Sequence, residues 1–563
     1  MNSPKAVVVV VAAALFATLA TTAARADYID HFATRTDVGL YKIPSKGPTR
    51  VLVVPVFIDD LDYPEGSEQA FLDEITAFYA DDDATIFEGG FRFTPYWEQA
   101  SLGRFRPSAE IAAPVHFPTC PPLGDAVDCA IPRGAGLGGP EPDVPGAIEI
   151  LTDALRFMDE IFRCASEGPG GDKSCTAGGG VDFARYDTSG NQQGVPDGFV
   201  DGVIIVSNAG FPGIALPVKD LAINPLLSFF GPFPTFTYPA AGTADDPEAG
   251  VVVASVGIAG RTGRPGRETF VSVHEFGHLL GFCDLYNESG ATTDLPYTLM
   301  GGWFYQDAGS LLDPFSRLAI GWGNMVQVSG AGSFTLPSAA QSGQVLKVGD
   351  GDEFFLVEHR RRLPDVLDGD MEIDSGVLVQ RVRLAKRPSP AAGDYFNTLQ
   401  ACVNCTPFDT MLMLEEADGN YDLQLNRGRD DAGDLFQTGD TIAPSADTAV
   451  RNESHVVFST NLLSGAATGL TITVTSSDDT GAVVDVTAPA VADVCDTAGD
   501  LCGTPCEADG EGHGRCGDFL TFPALPEQEP KFDEEVSCCA QGPVVDVGVL
   551  GLGALVLLRR RRR

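Results

Sequence analysis

Apolar residues fall into two textures along this chain. Between residues 50 and about 325, unbroken apolar runs alternate with stretches of helical spacing. Arg50 to Ile58 (RVLVVPVFI) and Phe199 to Ser207 (FVDGVIIVS) are unbroken and predict buried strands. Gln69 to Ala80 and Ile148 to Cys164 repeat their apolar side chains every three or four residues, which predicts helices. Phe93 to Ile111 reads as a helix end followed by a strand, and Leu312 to Trp322 as another helix. From about Val326 to Val486 the runs become short and β-rich, separated by Gly, Asp and Pro. They cover Ser333 to Leu336, Gln344 to Val348, Phe354 to Glu358, Gly376 to Val382, Met411 to Glu415, Leu470 to Val474 and Ala482 to Val486. That spacing predicts an antiparallel sandwich or half-barrel packed on the first part. No internal repeat is visible.

The ends read as processing signals. Lys5 precedes an apolar run from Ala6 to Ala20, and Ala24-Arg25-Ala26 offers a small-x-small cleavage site. Residues 1–26 are therefore expected to be a secretory signal peptide, with Asp27 as the new N-terminus. At the other end, Val544 to Leu558 is apolar apart from Asp546, and Arg559 to Arg563 close the chain. This segment, 541–563, is either a tail anchor or a temporary one. Residues 27–49 form a short N-terminal segment, 50–325 and 326–490 the two main parts, and 491–540 a Cys-rich acidic stalk.

Charge narrows the partners. With 78 acidic against 37 basic residues the formal charge is -41, so nucleic acid and anionic lipid are not expected as partners. Thirteen cysteines in an exported chain predict disulfides, with Cys164–Cys175 and Cys120–Cys129 as local pairs. Cys495, Cys502, Cys506 and Cys516 lie near His513. Zinc is conceivable there, but export favours disulfides.

The chemistry concentrates at His274-Glu275-Phe276-Gly277-His278-Leu279-Leu280-Gly281-Phe282-Cys283-Asp284, which reads H-E-x-x-H-x-x-G-x-x-D. Residues four apart share one helix face, about 6 Å apart along the axis, so His274 and His278 can hold one zinc ion. Glu275 stands beside them as general base. Gly281 lets the chain turn out of the helix, which would return Asp284 as third ligand. The alternatives for Asp284 are a turn cap or an outer-shell bond. A chance H-E-x-x-H is expected about once in a hundred chains with 7 His in 563 residues. Met300, in Tyr297-Thr298-Leu299-Met300-Gly301-Gly302, would lie under the ligands. Tyr297, Tyr286 and Tyr305 are candidate oxyanion donors. Asp187, Asn191, Asp197 and Asp201 could supply hard oxygens to calcium, and an Asp/Gly turn before a strand explains the same residues without metal.

These residues resemble the secreted bacterial metallopeptidases typified by immune inhibitor A, a metzincin-like family. The likeness extends from the zinc motif to Asp284-Leu285-Tyr286 and the Tyr-Thr-Leu-Met-Gly-Gly-Trp stretch at 297–303. Val181 to Asp187, Pro196 to Asp201, Leu312 to Trp322, Phe354 to Glu358, Glu416-Ala417-Asp418-Gly419 and Asp434-Leu435-Phe436 also follow the family order. Over residues 50 to 480 the resemblance implies an α+β fold: a zincin-like metallopeptidase domain with a Met-turn, then a β-rich, sandwich-like domain. It implies a zinc endopeptidase acting on protein substrates at the cell surface or outside the cell, and calcium sites are common in such proteins. Cys283 stands where the family often has Pro, and Asn287 where Asp is common. Residues 27–49 are too short for a long inhibitory propeptide. Cys538-Cys539, the apolar segment and the Arg cluster resemble the C-terminal sorting tags of myxobacterial surface proteins, which implies transient membrane anchoring and removal by a sorting peptidase. Two other classes fit less well: an inactive surface adhesin on a peptidase scaffold, which intact His274, Glu275 and His278 disfavour, and another metal-dependent hydrolase, which the downstream Gly, Asp and Met disfavour.

Overall fold

In this computed structural model the description covers the greater part of residues 47–119, 157–208, 310–383 and 411–491, with shorter stretches between 214 and 301 and between 494 and 516. Strand β1 (Gly47–Ile58) runs through the middle of the first sheet. Its side chains divide between two cores. Val51, Val53 and Phe57 enter one; Leu52, Val54, Val56 and Ile58 enter the other. A strand covered on both faces divides its side chains this way because successive residues point to opposite faces. Helices α1 (Glu68–Tyr79) and α2 (Phe93–Ala100) fill the first core with Phe71, Ile75, Phe93 and Trp97.

β2 (Phe105–Ile111) and β3 (Val115–Phe117) run parallel to one edge of β1, and β4 (Val203–Ser207) runs parallel to the other. β5 (Ile214–Leu216) forms the antiparallel margin, while β6 (Thr237–Pro239) and β7 (Gly250–Val252) make a separate ribbon. β8 (Val256–Gly260) joins β4 to β5. The second core holds Ile161, Phe162 and Cys164 from the helical stretch 160–167, and the expected Cys164–Cys175 disulfide closes beside it. Cys120 and Cys129 lie outside the described residues.

Helix α3 comprises residues 272–277 and 279. Helix α4 (Pro314–Ala319) starts at Asp313, whose carboxylate accepts the Ser316 N–H, with Pro314 in the first turn. An Asp cap before Pro satisfies one orphan donor and needs none from the proline.

The chain then builds β9 (Asn324–Gln327), β10 (Ala331–Leu336), β11 (Gln344–Val348), β12 (Glu353–Arg361), β13 (Ser375–Arg383) and β14 (Leu412–Leu414). β15 (Thr441–Ile442), β16 (Thr471–Asp478), β17 (Gly481–Thr487), β18 (Glu507–Ala508) and β19 (Gly514–Cys516) follow. A seven-stranded sheet in the order β14-β13-β12-β11-β9-β19-β18 faces a four-stranded sheet in the order β10-β17-β16-β15. Phe355, Val357, Val377 and Val379 pack between them with Ile472, Val474, Val484 and Val486. Their neighbours Phe354, Leu356, Leu378 and Val382 point the other way, into the first core. That core therefore lies between the parallel sheet and the seven-stranded sheet, and α3 sits in it.

The structure is mixed α/β with more strand than helix. The β-rich half packs two sheets face to face, but β9 and β11 pair in parallel where antiparallel strands were expected. The segment expected to open as a loose stalk is partly built into the fold: β19 pairs antiparallel with β9, and Cys516 is buried in the first core. Cys495 bonds Cys506, and Cys516 is also disulfide-bonded, which takes these thiols away from zinc. His513 Nδ1 accepts the Ser329 N–H at 3.1 Å. Residues 522–563 and the N-terminal 46 lie outside the described residues, as do both processing signals. Among the described residues no helix is long and apolar enough to cross a membrane.

Candidate metal centre

Helix α3 is held by its apolar face. Val273, Phe276, Leu279 and Leu280 are buried in the first core. The Phe276 ring meets Phe93 at 4.9 Å, Trp97 at 5.4 Å and Phe105 at 6.2 Å. This wall of rings fixes the rotation of the helix, and so the direction of the residues between its apolar positions. His274 and Glu275 are 5% and 4% exposed. A buried imidazole beside a buried carboxylate is costly to desolvate unless both have partners.

For His274 one partner is clear: its Nδ1 lies 2.9 Å from the Leu299 carbonyl oxygen. The carbonyl can only accept, so Nδ1 carries the hydrogen and the lone pair is on Nε2. That is the arrangement by which zinc-binding histidines are oriented. His274 is thus oriented as a metal-binding histidine would be, and a buried acid follows it directly. His278 and Asp284, the other expected ligands, lie outside the described residues, as do Tyr286 and Tyr305. Two flanking residues are described. Phe282 N–H bonds back to the Gly277 carbonyl at 3.1 Å, so the chain leaves the helix after Leu280. Leu285 N–H then bonds the Met300 carbonyl at 2.7 Å.

Met300 is fully buried and lies under α3. A Cβ built on Gly277 would come within 2.8 Å of the Met300 sulfur. Gly277 is thus the point where the 297–301 turn touches the helix, between the positions of the two histidines. Each residue of that turn has its own tie. Tyr297 adopts φ +60°, rare for a side-chain-bearing residue, and its hydroxyl donates to Asp434 Oδ2 at 3.1 Å. Thr298 Oγ1 accepts the Asp313 N–H at 3.1 Å, and Asp313 Oδ1 also accepts from Gln380 of β13. Its hydroxyl, bonded to a buried carboxylate, ties Tyr297 and the turn to Asp434.

Asp434 was invisible as a site residue in the sequence, because its partner is 137 positions away. Asp313 carried a signal, the Asp-Pro helix start, although nothing in it pointed to the metal turn. Asp434 also belongs to a carboxylate cluster with Glu416 and Asp422, whose oxygens lie within 4.8 Å of one another. Burial, and then the Asp434 charge, push the Glu416 carboxyl up to about 9. Its oxygens accept the N–H groups of Asp422 and Leu423 at 2.8 and 3.2 Å.

The segment read as a calcium loop is only partly described. Asp187 and Asp201 are buried. Asp201 Oδ2 accepts the Thr188 N–H at 3.1 Å and also its hydroxyl. These bonds tie Thr188 to Asp201. Asn191 and Asp197 lie outside the described residues. In comparisons with known proteins, no family model and no curated protein matches this chain at a significant level.

Proposed function

We propose that this chain is an exported zinc endopeptidase with a zincin-like catalytic part, acting on extracellular proteins. The observation that supports the reading best is the His274 Nδ1 bond to the Leu299 carbonyl, one residue before the buried Met300 that packs on Gly277. A core histidine needs no such tether to a turn that also underlies its own helix. His274 and His278 would hold the metal, with Asp284 as third ligand. Bound there, zinc supplies Lewis acidity that lowers the pKa of water toward about 7 and polarises a scissile carbonyl. Glu275 accepts the proton of the attacking water and returns it to the leaving amine. Its burial excludes competing solvent and strengthens each charge it faces. The Leu299 carbonyl keeps the His274 ring from turning.

The resemblance to immune inhibitor A-like peptidases supports the same class, as do the disulfides of an oxidising compartment. Calcium at Asp187, Asn191, Asp197 and Asp201, and transient anchoring through 541–563 with removal by a sorting peptidase, belong to the same proposal.

The test is Glu275→Gln in the secreted protein, with zinc content measured. Casein digestion should fall by about three orders of magnitude or more while zinc stays bound, since base and acid roles vanish together. Near-parental digestion by the zinc-loaded variant, or parental digestion untouched by a chelator, refutes the assignment.

A further inference from the structure

We infer that Tyr297 and Asp434 are positioning residues for the metal centre: their hydrogen bond holds the turn whose Leu299 carbonyl orients His274. The inference rests on the zinc reading above. Tyr297 stands two residues before Leu299 and adopts a left-handed backbone, which strains a residue with a side chain. Such a conformation persists only where the surroundings over-determine it. Here the ring is buried and the hydroxyl reaches Asp434 Oδ2 at 3.1 Å.

Asp434 is firmly placed. Its own carbonyl accepts the Ala417 N–H at 3.2 Å, Leu435 is buried in the first core, and Phe436 exchanges two backbone bonds of 2.9 Å with Val377 of β13. A buried proton-accepting carboxylate is also the stronger kind of partner, since bonds to an ionised acceptor are roughly twice as strong as neutral ones.

The chain of contacts then has four links: β13, Asp434, the Tyr297 phenol, and the turn that ends at the Leu299 carbonyl on His274 Nδ1. The β-rich half is, in this view, part of the metal site. Without the strut, the turn loses one long-range side-chain tie, while Thr298 to Asp313 keeps another. The ring of His274 would then sample more orientations, and zinc would leave faster.

The experiment uses the full secreted chain and four variants: Tyr297→Phe, Asp434→Ala, Asp434→Asn and the Tyr297→Phe/Asp434→Ala double. Zinc loss to a chelator, the visible spectrum of the cobalt-substituted protein, kcat and KM separately, and the unfolding midpoint of the metal-free protein are measured. Removing an outer partner of a metal ligand costs about 10–100-fold in affinity or activity. Tyr297→Phe and Asp434→Ala should each release zinc at least about tenfold faster, change the cobalt spectrum alike and lower kcat with KM within about twofold. Asp434→Asn keeps an oxygen acceptor and should recover most of the loss, and the double variant should be no worse than either single one. Unchanged zinc release and cobalt spectrum in Tyr297→Phe, with only the midpoint lowered, overturns the inference and leaves a structural bond. Additive losses in the double variant, or equal losses in Asp434→Asn and Asp434→Ala, overturn it as well. Those two Asp434 variants decide the matter if Tyr297→Phe does not fold. If the parent protein binds no zinc, the peptidase reading falls and the inference falls with it.

Discussion

Gly277→Ala puts one methyl group at the contact between α3 and the 297–301 turn. The ideal Cβ would stand 2.8 Å from Met300 Sδ, and 3.5 Å from both Met300 Cε and Phe282 Cδ2. An ordinary contact needs several tenths of an ångström more. Met300 and Phe282 are 0% and 3% exposed, so neither has empty space to move into. Overpacking of this kind costs about 1–3 kcal/mol. Replacing Gly by Ala inside a helix returns about 1 kcal/mol. The net expectation is a loss of roughly 0–2 kcal/mol, with the helix pushed away from the turn and His274 moved off Leu299. A double-mutant cycle with Met300→Ala isolates the contact. Met300→Ala alone should cost about 2–5 kcal/mol, yet beside it Gly277→Ala should become neutral or stabilising, a coupling of about 1–3 kcal/mol. Urea unfolding followed by tryptophan fluorescence suits the measurement, because Trp97 lies against Phe276 of α3. Zinc release should quicken in the single Gly277→Ala variant and recover in the double. A Gly277→Ala protein more stable than its parent by the full helix-propensity gain, with unchanged zinc release, would show that Met300 does not lie under the helix.

Three further outcomes are expected. His359 is fully buried, and burial holds its imidazole at about 4, a hydrogen bond with the Asp478 backbone and the Asp478 charge offsetting this only in part. The unfolded chain takes up a proton near pH 6.5 that the folded core refuses, so stability is full above 6.5 and about 3 kcal/mol is lost as pH falls from 6.5 to 4. His359→Leu should lose stability less steeply over that window in urea titrations, and parallel curves would refute the account. Glu416, held protonated up to about 9, contributes stability that is present below the unfolded value near 4.5 and is lost as pH rises from there to 9. Glu416→Gln should therefore gain more than about 1 kcal/mol on the parent at pH 8 and little at pH 4.5, and an equal difference at both pH values contradicts the burial of that proton. His274→Ala and His278→Ala should each lose zinc, with Asp284→Ala weakened less because water can replace a carboxylate; metal analysis showing parental binding in Asp284→Ala places the third ligand elsewhere.

Local chemistry determined a good part of this molecule before any tertiary contact formed. The unbroken run at Arg50 to Ile58 could only be a strand covered on both faces, and β1 is one. Short β-rich runs from Phe354 to Glu358 and Gly376 to Val382 marked β12 and β13, which carry apolar side chains on both faces because each face meets a core. The spacing of His274 and Glu275 on a helix, and the exit of the chain after Leu280, were likewise written locally. Short strands without their own pattern were not legible: β9 and β19 exist because each completes the other's backbone hydrogen bonds, and their sequences are 187 residues apart at Gly514 and Gln327. For the same reason the sequence suggested a stalk where the chain returns to the sheet. Only the tertiary structure decided that α3 lies between two sheets, that Leu299 holds His274, and that Asp434 reaches Tyr297 from the β-rich half. Those choices depend on which distant groups meet, and a one-dimensional pattern records what a residue can bond, not what it will find.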